Sequence, residues 1–226
     1  IIGLFIFKWV YDFFSGSESI QLINQNKFKL FFLIFAHIPT LIFDTYAWVV
    51  LMYKNKLSFL YSLVITWVAQ TSSKFLPTGN ITGEFIRFYL AKKTGQNTTE
   101  ASSTVLLDLF IATFSLFIVG LLSSIYIISF HSNAFLDNNI IYFILSLIAI
   151  LTGSIFFFLV IRKRAISKLM RQFSGINFFS KKKGIIQLLR LDYALYKLSF
   201  RKNKLIKALV LRLFGWIAGA CEIYVF

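Results

Sequence analysis

Apolar residues in this chain come in long runs, with neither the 3.6-residue stripe of an amphipathic helix nor the alternation of a strand. A run near 20 residues is long enough to cross a bilayer as a helix. Such runs cover residues 28–53, 102–130 and 140–161. Residues 1–14 read as the tail of an earlier span. Residues 205–226 read as a last one, whole or cut according to whether Arg212 snorkels to the interface. Residues 57–69 are apolar but short, and they decay into Gln70-Thr71-Ser72-Ser73-Lys74. A break follows at Leu76-Pro77-Thr78-Gly79-Asn80-Ile81-Thr82-Gly83-Glu84-Phe85-Ile86-Arg87. Unwound backbone survives at membrane depth only where protein or a wet cavity surrounds it, so this break is the first place to look for function.

The polar connectors orient the spans. Residues 11–26 carry Asp12 and Glu18 but no Lys or Arg, and residues 131–139 have no Lys or Arg either. Lys54 and Lys56, Lys92 and Lys93, and the segment 162–207, in which Asp192 is the one acid, are basic. Basic loops stay in the cytoplasm. Lys54/Lys56 and Lys92/Lys93 then share a face, although residues 57–91 between them are mostly apolar. A re-entrant hairpin satisfies this, with one half-helix up to about Ser73, a turn over residues 76–83, and a half-helix back to Ala91. In the basic segment 162–204, Ile166, Leu169, Met170 and Phe173 recur at helical spacing among Arg and Lys. That pattern suits helices lying in the cytoplasmic interface, and equally a solvated basic connector. The predicted fold is all-α: a polytopic transmembrane helix bundle with a re-entrant helical hairpin and cytoplasmic interfacial helices. It forms a single integral-membrane domain over residues 1–226. The chain starts without Met and stops inside an apolar run, so it is expected to be a piece of a longer protein.

Composition agrees. Hydrophobic residues make up 58% and charged residues 15%, where soluble domains run about a quarter charged. The net charge of +15 would suggest nucleic acid in a soluble protein. Here the bases flank apolar spans, so anionic lipid headgroups are the expected partners and nucleic acid is not. Cys221 stands alone, and His37 and His131 lack companions at ligand spacing, so neither a disulfide framework nor a metal site is expected. There is no Gly-Lys-Ser/Thr phosphate loop, HExxH or CxxC, no sequence context marks a catalytic nucleophile, and no cofactor is expected.

Candidate chemistry concentrates at charges within apolar runs. On a helical return arm Glu84 lies about 10–12 Å in from Lys92 and Arg87 about 7 Å in. At i and i+3 the two can meet. A charge at the bilayer centre costs about 2.5–3.5 kcal/mol even on the lenient scale, and is rarely idle. Unpaired N–H groups over residues 78–83 would favour an anion such as a lipid phosphate, with Arg87 and Lys74 as charge partners. Thr78, Gly79 and Gly83 let backbone approach such a ligand or simply make the turn. The alternative is that Glu84 and Arg87 only pin the hairpin to its neighbours. Asp108, about 10 Å from the inner face, lies at a depth where it can meet Arg87. Glu222, about 22 Å along its helix from Lys207, needs a partner or a wet cavity. Asp44 reads as an inter-helix hydrogen bond on a span kinked by Pro39, and Gly215-Trp216-Ile217-Ala218-Gly219 as close helix packing.

Leu76-Pro77, Gly83-Glu84, Arg87, Asp108 and the run Trp216…Glu222-Ile223-Tyr224 together resemble the integral-membrane domain of the lysylphosphatidylglycerol synthase/flippase family, over residues 28–226. Thr82-Gly83 stands where that family commonly has paired glycines, and Leu109 where Arg often follows the acid. The resemblance implies a multi-pass protein of the bacterial cytoplasmic membrane that binds and translocates a polar, anionic or aminoacylated lipid, with a second hairpin beyond Phe226. The expected lipid-binding set is Lys74, Thr78, Gly79, Gly83, Glu84, Arg87, Asp108 and Glu222, with no catalytic residue. A homo-oligomer or a separate lipid-synthesis partner stays open. Two other classes stand beside it: a membrane-embedded headgroup-modifying enzyme with Glu84 or Glu222 as general base, and a lipid-binding accessory subunit.

Overall fold

The computed structural model describes Lys8 and residues 24–53, 57–75, 80–130, 139–172 and 182–225. The expected first span, residues 1–14, therefore lies outside the described residues apart from Lys8, as do Pro77, Thr78 and Gly79. Among the described residues there are eight helices and no strand. They are α1 (Lys27–Leu51), α2 (Phe59–Phe75), α3 (Asn80–Lys93), α4 (Thr98–Phe130), α5 (Asn139–Arg162), α6 (Ala165–Gln172), α7 (Lys182–Ser199) and α8 (Lys202–Val225). Two segments are long and apolar enough to cross a membrane, Thr98–Tyr126 in α4 and Tyr142–Arg162 in α5. The apolar part of α1, Phe35–Leu51, is shorter, and α8 carries Arg212 and Glu222 in its length.

Side chains and local backbone geometry explain where the elements stop. Met52 leaves helical geometry at φ −64°, ψ 144°. The freed groups are then tied down from elsewhere: Glu100 Oε1 accepts the Tyr53 N–H at 2.9 Å and Lys204 Nζ donates to the Met52 carbonyl at 2.5 Å. α3 ends at Gly95, whose φ of +102° is the left-handed cap for which glycine has no steric penalty. Gln96 N–H then reaches back to Ala91 O at 3.1 Å in a Schellman arrangement.

The helices close around two buried clusters. One joins Ala47 and Leu51 of α1, Leu107 and Ile111 of α4, Ile161 of α5, Leu195 and Leu198 of α7 and Ala208 of α8. The other joins Trp48 and Met52, Ile65, Ala91, Ala101 and Val105, with Leu57, Phe88 and Leu90 packed against it. Leu57 at the entry to α2 and Ala91 at the exit from α3 thus belong to one cluster.

α2 and α3 lie in direct contact. A Cβ on Gly83 would stand 2.7 Å from Ala69 O and 2.9 Å from the Ser73 Cβ. Gly83 is inside α3, so its missing side chain permits close helix approach and is not a turn requirement. The outer faces of both arms stay apolar, with Leu60, Val64 and Trp67 on α2 and Ile81, Phe85 and Tyr89 on α3 exposed. α7 exists as the basic segment suggested, and its buried side, Leu195 and Leu198, is part of the core at the basic end of the bundle.

Candidate functional site

Five helices contribute to one buried ionic network. Arg87 of α3 donates from Nη1 to Asp108 Oδ2 of α4 at 2.7 Å and lies 3.3 Å from Glu84 Oε2, one turn earlier on its own helix. Arg212 of α8 reaches the same Asp108 with Nε, at 3.3 Å to Oδ1, and with Nη2 to Oδ2. Its Nη1 pairs with Asp44 Oδ1 of α1 at 2.7 Å. Gln70 of α2 joins at the Asp44 end by donating to Asp44 Oδ2 at 2.9 Å. The Arg87 guanidinium also sits 5.4 Å over the Trp48 ring, whose own N–H is directed at Thr104 Oγ1. Asp108, with no exposed side-chain surface, accepts from two arginines on different helices, which is how a carboxylate tolerates such burial.

Helix spacing accounts for this convergence. Counted at 1.5 Å per residue from the basic end of each helix, Asp44, Glu84, Arg87, Asp108 and Arg212 all lie about 9–15 Å in. They are on one level of the bundle, so helices of different direction bring their charges together.

A second polar station lies about 15 Å further along α8. Glu222 accepts from Thr40 Oγ1 and lies 3.0 Å from His37 Nδ1. Between the two stations the seam of α1 and α8 is tight. A Cβ on Gly215 would be 3.0 Å from Asp44 Oδ1, and one on Gly219 would be 4.0 Å from Thr40 Oγ1. The GxxxG pair therefore marks helix contact.

Of the residues singled out in the sequence, Glu84, Arg87 and Asp108 meet. Glu222 stands apart with His37 and Thr40. Lys74 is exposed in the last turn of α2, with no ion pair among the described residues. Gly83 faces Ala69 and Ser73, and Thr78 and Gly79 lie outside the described residues. Arg212 does not snorkel: it is buried between Asp44 and Asp108. The sequence reading also missed Gln70, Trp48, His37 and Thr40. A signal existed. His37, Thr40 and Asp44 recur at i, i+3 and i+7, and Arg212, Gly215, Gly219 and Glu222 at i, i+3, i+7 and i+10, so each set lies on one helix face.

The network is not fully satisfied. Glu84 Oε2, Arg87 Nε and Gln70 Oε1 are buried without a hydrogen-bond partner among the described residues, whereas most buried polar side-chain atoms have one. All three belong to α2 and α3.

Apolar outer faces and, among the described residues, two helices of spanning length point to a helical membrane protein. The model of the lysylphosphatidylglycerol synthase TM region matches residues 1–226, and the chain belongs to that family. No curated protein and no solved structure matches the chain. Membership connects it to membrane-lipid biology.

Proposed function

We propose that this protein binds the headgroup of a polar lipid at the Glu84–Arg87–Asp108–Arg212–Asp44 network and moves it across the bacterial cytoplasmic membrane as a flippase does. The observation that carries the reading is a set of buried polar atoms, Glu84 Oε2, Arg87 Nε and Gln70 Oε1, that accept or donate no hydrogen bond among the described residues, Glu84 Oε2 having only its ion pair with Arg87. They sit on the α2–α3 pair, inside a network otherwise closed by ion pairs. A polar headgroup entering beside the pair would supply the missing partners. In this reading α2 and α3 form a hairpin that enters and leaves by the cytoplasmic face, its apolar outer side in lipid and its polar side on the bundle.

Charge narrows the ligand. Three carboxylates, Asp44, Glu84 and Asp108, stand against two guanidiniums, Arg87 and Arg212, so with every group ionised the network sums to −1. Both arginines already hold carboxylates, which leaves little to attract a further anion. Glu84 is the least enclosed member, at 21% exposure against 3% for Arg87. It is the group suited to an ammonium, as on an aminoacylated lipid.

The test is transport by the protein in liposomes, with fluorescent aminoacylated phosphatidylglycerol and unmodified phosphatidylglycerol compared. Faster movement of the aminoacylated lipid than in empty liposomes is expected, and Glu84→Gln should bring it to the empty-liposome rate while the unfolding temperature holds. Movement no faster than in empty liposomes for either lipid, or an unimpaired Glu84→Gln, defeats the proposal. Mass spectrometry of the same lipids would reveal the enzyme alternative as a changed headgroup.

A further inference from the structure

A cavity of about 540 Å³ opens at the basic end of the bundle, away from the buried network. Its walls include Arg190, Tyr193 and Lys197 of α7, Arg201 in the break before α8, Tyr53 after α1, and Glu100 in the first turn of α4. Arg190 and Lys197 are seven residues apart and so share a face of α7. Neither has a carboxylate partner among the described residues, and both are exposed at the cavity. Arg201 stacks at 5.4 Å over the Tyr53 ring, which fixes its position without neutralising it. The one acid in the wall, Glu100, is buried and accepts the Tyr53 N–H. Three cations against one carboxylate leave the cavity at +2. The first turn of α4 adds backbone N–H groups that have no helical partner.

We propose that this cavity is a binding site for a phosphate ester of glycerophosphate size. Arg190, Lys197 and Arg201 hold the phosphate, and the tyrosines and the α4 terminus take the hydroxyl-bearing remainder. The volume lies in the range of small-ligand sites and exceeds what a bare anion fills. Guanidinium groups supply the forked donors that phosphate oxygens accept. The same chemistry is presented by a soluble glycerophosphate and by the headgroup of phosphatidylglycerol in the facing leaflet. The site is separate from the charge network, and its occupancy does not depend on translocation.

Two binding measurements on the purified chain test it: sn-glycerol 3-phosphate by calorimetry in detergent, and phosphatidylglycerol retained from phosphatidylcholine nanodiscs by native mass spectrometry. At least one probe should bind. Arg190→Gln/Lys197→Gln should weaken that binding by about tenfold or more. Lys92→Gln/Lys93→Gln, which removes the same charge from exposed positions outside the cavity, should leave it within about twofold. Binding of the soluble ester assigns the site to a free metabolite, and retention of the lipid alone assigns it to a headgroup. Binding of neither probe, or equal weakening by the two double variants, overturns the proposal.

Discussion

Arg212 carries a large electrostatic responsibility in this fold, because the buried Asp108 and the half-buried Asp44, on different helices, both depend on it. Removing one member of a buried ion pair costs about 3–5 kcal/mol, since the remaining charge is left without compensation. Arg212→Ala is therefore expected to lower the unfolding temperature in detergent severely or to abolish accumulation of the protein. Arg212→Lys keeps the charge but cannot serve Asp44 and Asp108 together through a planar fork, and should fall between the two. An Arg212→Ala protein as stable as wild type would show that the pairs contribute nothing. Arg87 is at least as enclosed and also holds Asp108, so its removal confounds stability with function. Glu84, more open and paired with one arginine, is the residue at which the two can be separated.

At the scale of helices, glycine governs how closely elements meet, and three positions should rank in order. Replacing a helix-interior Gly with Ala gains about 1 kcal/mol of helix propensity where space allows. At Gly219 the added Cβ meets Thr40 Oγ1 at 4.0 Å, an ordinary contact, so Gly219→Ala should be neutral or stabilising. At Gly215 it meets the Asp44 carboxylate at 3.0 Å; that side chain can give way only by straining its bond to Arg212, so the two effects should roughly cancel. At Gly83 it meets the Ala69 carbonyl at 2.7 Å, and backbone cannot rotate aside. Gly83→Ala should destabilise clearly and part α2 from α3. Thermal unfolding of the three variants checks the order, and a Gly83→Ala protein that unfolds no earlier than Gly219→Ala contradicts the close contact of α2 with α3.

Across the whole molecule, charge is sorted. Each acid among the described residues is engaged internally: Asp44, Glu84, Asp108 and Glu222 within or between helices, Glu100 at the Tyr53 N–H, and Asp192 with Ser167 and Arg164. Lys92, Lys93, Arg190, Lys197 and Lys202 are left exposed around the end where α1, α3 and α7 finish and α8 begins. Lys27 is exposed at the opposite end of α1, and the excess of positive charge at the first end predicts the orientation of the bundle. On a Cys221→Ser background, cysteines at the exposed positions Thr94 and Asn203 should label only from the cytoplasm. One at Ser129, exposed near the far end of α4, should label from outside. Labelling of Thr94 from outside would mean that α2 and α3 cross the membrane between them, and the hairpin reading would fail.

Read alone, the sequence determined that the chain is helical and apolar enough for a membrane, and it located most of the helices to within a few residues. Those properties depend on run length and local composition, which sum along the chain. It also marked Glu84, Arg87 and Asp108, because a charge inside an apolar run is costly wherever the run folds. Tertiary structure decided the partners. Asp108 and Arg212 are 104 positions apart, and whether such groups meet depends on helix order and rotation, which local composition does not encode. For the same reason the sequence left open whether Arg212 snorkels, and read Gln70 as the start of a polar fringe and His37 as an isolated histidine. Only the packing of α1 against α8 and of the α2–α3 pair against both turned them into members of the polar interior.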